Sequence, residues 1–131
     1  MLEIKEFALI AANAAAEKKA TDVVVLDVAQ SLVITDYFII ASGSTDRQVR
    51  SIAEEIEGQL KQAGLRAVGR EGEREAKWIL LDFGDIVAHV FQPDEREFYR
   101  LEKLWSDAEA LELPAEVRNP SPASDSGNAS S

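Results

Sequence analysis

Hydrophobic positions follow two rhythms along this chain, a helical period of 3.6 and a strand period of 2, and the switches between them mark the elements. Over residues 2–18, Ile4, Phe7, Ala8, Ala11, Ala14 and Ala15 share one stripe and predict an amphipathic helix whose small residues permit close packing. Val23 to Val28 is an almost unbroken apolar run, as in a strand covered on both faces, and Asp27 within it needs a partner if buried. Residues 30–36 read as a connection and Tyr37 to Ala41 as a second strand. Thr45 and Gln48 form a capping-box pattern ahead of Val49, Ile52, Ala53, Ile56, Leu60 and Ala63, and Gly64 stands where a helix-ending glycine belongs. A strand at Leu65–Val68 and a charged loop from Arg70 to Lys77 are expected next. A last helix is expected from Pro93 onward, with Phe98, Leu101, Leu104, Trp105, Ala108 and Leu111 as its stripe.

Between loop and last helix lies Trp78 to Phe91, two apolar runs around Gly84-Asp85, which predicts a β-hairpin with a two-residue turn. In that register Phe83 faces Ile86, Leu81 faces Ala88, Ile79 faces Val90 and Trp78 faces Phe91. One face then holds Ile79, Leu81, Phe83, Ile86, Ala88 and Val90, wholly apolar and hence core. The other holds Trp78, Leu80, Asp82, Val87, His89 and Phe91, and is either covered by a helix or open to a partner.

Strands alternating with helices and a terminal hairpin predict an α/β fold: a single small domain with a mixed β-sheet flanked by helices. The domain is expected over 1–113. Residues 114–131 are rich in proline, serine, asparagine and glycine, and are expected to form a disordered polar tail.

Composition narrows the chemistry. The chain has 131 residues and no cysteine, which excludes disulfides, thiolate catalysis and cysteine-ligated zinc. Neither a membrane-length apolar run nor a signal-peptide pattern occurs, so a cytoplasmic protein is expected. A net charge of −10 suits a basic partner and argues against wrapping a phosphate backbone. Ser42-Gly43-Ser44-Thr45 at a strand-to-helix junction could aim amides at a phosphate, as in nucleotidyltransferases. The expected next strand, Leu65–Val68, carries no acid to hold magnesium, which leaves such an enzyme as the alternative reading. His89, the only histidine, has Asp82 on its face one pair away, as an acid–base unit, a metal half-site or a satisfied hydrogen bond. Arg96 and Arg100 are expected to pair with acids of their own helix. Trp78 is either a core residue or an exposed anchor of an interface. Asp82 on its face, with Glu71, Glu73 and Glu75 in the preceding loop, would complement a basic partner.

Asp27 through Ser31 to Thr35-Asp36-Tyr37-Phe38-Ile39-Ile40, Arg47-Gln48-Val49, Trp78 to Asp85, His89-Val90-Phe91, and Arg96 with Phe98 to Trp105 resemble the Iojap family of ribosomal silencing factors. The similarity covers residues 2 to about 110 and leaves out the chain after Leu113. It implies a domain distantly similar to the nucleotidyltransferase fold without its catalytic acids, no enzyme activity and no cofactor. It also implies binding to ribosomal protein L-fourteen on the large ribosomal subunit, which blocks joining of the small subunit and represses translation under nutrient limitation. No direct nucleic-acid or membrane contact is implied, and the free protein is expected to form a homodimer. Trp78 corresponds to the family's interface tryptophan, and Leu80, Asp82, His89 and Glu73 are the expected partner-binding residues beside it.

Overall fold

The computed structural model describes residues 2–29, 35–100, 103 and 108–120. Its organising element is the hairpin, in the register that side-chain alternation dictates. Strand β4 (Trp78–Asp82) and β5 (Ile86–Phe91) pair Trp78 with Phe91, Ile79 with Val90, Leu80 with His89, Leu81 with Ala88 and Asp82 with Val87. Gly84 has φ 89°, which an L-residue avoids and this turn requires. Asp82 Oδ1 accepts from the Gly84 amide at 2.8 Å, and Phe83 N–H donates to the Ile86 carbonyl at 2.9 Å.

The other strands are β1 (Thr21–Asp27), β2 (Tyr37–Ser42), β3 (Gly69–Glu71) and β6 (Glu109–Ala110). Among the described residues they form one sheet in the order β3-β4-β5-β2-β1-β6. The β2–β5 pair is parallel and the rest are antiparallel, the mixed sheet expected. Helices α1 (Ile4–Glu17) and α2 (Asp46–Ala63) pack on one side. Short α3 (Pro93–Tyr99) follows β5, and α4 (Ala115–Arg118) is a single turn.

The main core lies between the sheet and α1 and α2. Ala8, Ala11, Ala12, Ala14 and Ala15 present a small-residue face, which lets α1 approach closely. Val49, Ile52, Ile56 and Leu60 of α2 meet Ile79, Leu81, Ile86, Ala88 and Val90 of the hairpin, all fully buried or nearly so. Each larger aliphatic contributes about 1.5–3 kcal/mol on burial. Leu26, Val28, Phe38, Ile40 and Phe91 form a second cluster on the opposite sheet face.

Strand β3 sits later than expected. Gly64 takes φ 105°, and the Leu65 amide turns back to the Leu60 carbonyl at 2.8 Å, closing a Schellman motif. That bond removes Leu65 from any sheet ladder, so pairing with β4 starts only where Val68 N–H meets the Asp82 carbonyl at 2.7 Å. The last helix is also shorter than its periodicity suggests. Arg100, at φ 50°, ends α3, and Glu109-Ala110 pair with Asp27 and Leu26 as β6. Leu111 N–H donates to the Val25 carbonyl at 2.9 Å. Unpaired β1 backbone groups find partners in these residues, an outcome helical spacing does not anticipate. Leu101, Leu104, Trp105 and the Phe98 side chain, expected on that helix, lie outside the described residues.

Residues 114–120, assigned to the tail on composition, carry α4. Val117 packs on the main core beside buried Leu113, and Asn119 Oδ1 accepts from the Asp22 amide at 2.8 Å. Asp27 finds the partner it needs locally, accepting from the Ala29 amide at 3.1 Å.

Candidate partner-binding face

The second face of the hairpin is neither covered nor open throughout. Phe91 and His89 are buried, at 0% and 5% exposure, while Trp78, Leu80, Asp82 and Val87 are half-buried. Trp78 opens β4 diagonally across from His89. Its indole Nε1–H donates to His89 Nδ1 at 3.2 Å. Its ring lies against Phe91, with centroids 4.8 Å apart and planes 31° off parallel. Phe38 meets the imidazole edge-on at 4.9 Å. Such pairs add to burial when offset or edge-to-face, so four rings from three strands brace one another.

Because Nδ1 accepts, the imidazole proton sits on Nε2, which is buried and has no hydrogen-bond partner among the described residues. Burial pushes the His89 pKa down to about 4, since the charged form loses its hydration. His89 is therefore neutral near pH 7, a fixed acceptor for Trp78. The Asp82–His89 pairing considered from sequence is not formed. Leu80 stands opposite His89 in the register, and Asp82 spends an oxygen on the turn.

Glu73 lies exposed in the loop before β4. Its carboxylate is 3.8 Å from Arg70 Nε, and its carbonyl accepts from Arg50 Nε at 3.1 Å. Arg70 is held mainly by Glu57, whose carboxyl pKa is lowered by that hydrogen bond. Trp78, Leu80 and Asp82 are brought together on one face with His89 as support, and Glu73 flanks them. Val87, on the same face, was not singled out from sequence, although alternation alone places it there.

The Ser42–Thr45 junction is already engaged. Buried Ser42 accepts from Arg96 Nη1 at 2.8 Å, and the Gly43 amide donates to the Phe91 carbonyl at 2.9 Å. Thr45 Oγ1 caps the Gln48 amide at 3.0 Å. The return arm of the capping box goes instead to Ser44, whose amide reaches Gln48 Oε1 at 2.7 Å. Asp46 adds a carboxylate in the first turn, which opposes a phosphate there. Arg100 pairs with Glu97 of its own helix at 2.9 Å as expected, and Arg96 donates to Ser42.

Fold and face together define a small α/β domain marked by a braced aromatic patch on a sheet surface. The chain matches the family described as "Ribosomal silencing factor during starvation" over residues 2–131, so the match includes the segment after Leu113 that the motifs left out. It is 45% identical over 109 residues to the ribosomal silencing factor RsfS of Bacillus subtilis, covering 83% of this chain and 92% of that protein. It is 35% identical over 116 residues to the chloroplastic protein Iojap of Zea mays, covering 88% of this chain and 50% of that protein. A crystal structure from Chromobacterium violaceum superposes with TM-score 0.79 at 33% identity, covering 91% of this chain and 98% of the other. The chain belongs to the RsfS family of ribosomal silencing factors.

Proposed function

We propose that this protein represses translation under nutrient limitation by binding ribosomal protein L-fourteen on the large ribosomal subunit, where it blocks joining of the small subunit. The observation that carries this reading is the pose of Trp78: a partly exposed indole fixed by His89 and Phe91 before any partner arrives. A large side chain ordered in advance loses little further freedom on binding, which is what an interface anchor requires. Leu80 and Val87 extend its apolar surface. Asp82 and Glu73 supply carboxylates that complement a basic protein. His89 acts from beneath by holding the indole. Occupancy suffices for steric exclusion, so the action needs no catalysis and no cofactor. The protein works in the cytoplasm, and the free form is a homodimer.

Sedimentation with separated ribosomal subunits tests the reading. The protein is expected to pellet with large subunits and to lower the yield of joined ribosomes when small subunits are added. Binding of equal strength to small subunits, or unchanged joining at saturation, contradicts it.

A further inference from the structure

Beyond β2 on the same sheet face lies a groove of about 730 Å3, bounded by the start of β1, the end of β2, α3 and α4. Among the described residues four cationic side chains line it, Arg96, Arg100, Lys103 and Arg118, against two acids, Asp22 and Glu97. The described lining therefore carries an excess of positive charge, opposite in sign to the chain as a whole with its 24 acidic and 14 basic residues.

These cations come from α3 and its C-cap, from the turn after it, where Lys103 N–H donates to the Arg100 carbonyl at 2.9 Å, and from α4. Arg96, only 9% exposed, is anchored on Ser42 Oγ at 2.8 Å. Arg100 is held by Glu97 at 2.9 Å, and the Asn119–Asp22 bond ties the end of α4, and with it Arg118, across the mouth. Lys103 and Arg118 are exposed. Cations spread along an open trough suit a row of phosphates better than a single anion. The floor contributes Val24 and Pro93, and no described aromatic side chain lines the groove to stack a base, which favours contact with a backbone. Position supports the same occupant. Trp78 pairs with Phe91, Phe91 with Ser42 and Ser42 with Thr21, so one row across the sheet joins the aromatic patch to the groove. At about 4.8 Å per strand the two are ~10–15 Å apart.

We infer that this groove receives the phosphate backbone of an RNA strand while the Trp78 face engages protein. The inference rests on the ribosome-binding reading and adds a second, electrostatic contact to it. The contact is local and weak on its own, consistent with an acidic chain that does not wrap nucleic acid.

The test follows amide resonances of the full chain as a short RNA duplex is added at low ionic strength. Shifts are expected at Thr21, Arg100, Lys103 and Arg118. The double variant Lys103→Glu with Arg118→Glu should lose them, and the charge-matched control Lys5→Glu with Arg47→Glu should keep them. With large subunits, the groove variant should bind about tenfold more weakly than the control, with a salt dependence shallower by roughly one to two phosphate contacts. The inference is overturned if RNA produces no shifts there, if both double variants behave alike, or if inorganic triphosphate or an acidic peptide produces the same shifts more strongly. RNA shifts in a protein that fails to sediment with large subunits would keep the groove and sink the ribosome reading instead.

Discussion

The indole N–H of Trp78 donates to Nδ1 of His89 at 3.2 Å, so a partly exposed ring at the start of β4 is held by a buried imidazole in β5. The bond needs His89 neutral, and burial supplies that condition by lowering its pKa to about 4. Packing of the sheet face thus sets the pose of the candidate anchor.

Acid should weaken the fold through this residue. An unfolded histidine titrates near 6.5, above the folded value of about 4, so the unfolded chain takes up the proton first and stability falls with pH. The expected loss is about 2 kcal/mol on going from about pH 7 to about pH 5, before carboxylates contribute much. Denaturant midpoints across that range should show it in the wild type, and His89→Leu should flatten the slope. Equal slopes in both proteins would mean that His89 is not the group responsible.

Gly72 should tolerate no side chain. Its φ is 86°, and a Cβ built there would lie 2.0 Å from the Trp78 carbonyl oxygen. Gly72→Ala must therefore displace the β3–β4 loop that positions Glu73, at a cost of about 2 kcal/mol or more. A thermal midpoint within a degree or two of wild type would show that the loop relaxes freely.

Ending the chain after Leu113 should destabilise the domain. The truncation removes Val117 from the core and the Asn119 acceptor from the Asp22 amide, together worth about 1–2 kcal/mol. Denaturant unfolding of the truncated and full chains measures this, and identical midpoints would make α4 dispensable.

The hairpin was legible in the sequence because a two-residue turn fixes register and alternation then assigns every side chain to a face. The division of its second face was not. Trp78 and Asp82 are both diagonal neighbours of His89, and nothing in their spacing says which one reaches the imidazole. The answer depends on the Gly84 amide occupying Asp82. The β3 shift and β6 were hidden for a related reason, since both depend on where backbone donors find partners. The Leu65 amide serves the helix end, and the exposed side of β1 recruits Glu109 and Ala110 from what reads as a helical stripe. The groove was missed because Arg96 and Arg100 read as partners of acids on their own helix, and Arg118 joins them and Lys103 only when α4 meets the start of β1.

The dissociation constant of Trp78→Ala for isolated large subunits, measured beside its denaturation midpoint, tests the central claim most directly. Loss of the ring leaves His89 Nδ1 without its donor, so stability should fall by about 1–2 kcal/mol and the domain should remain folded. Binding should weaken by about 2 kcal/mol or more, roughly thirtyfold. Ile79→Ala, one residue along on the core face, should show the reverse: about 3 kcal/mol of lost stability and near-normal affinity for its folded fraction. A folded Trp78→Ala protein that binds large subunits as tightly as wild type would contradict the assignment of this face to the ribosome.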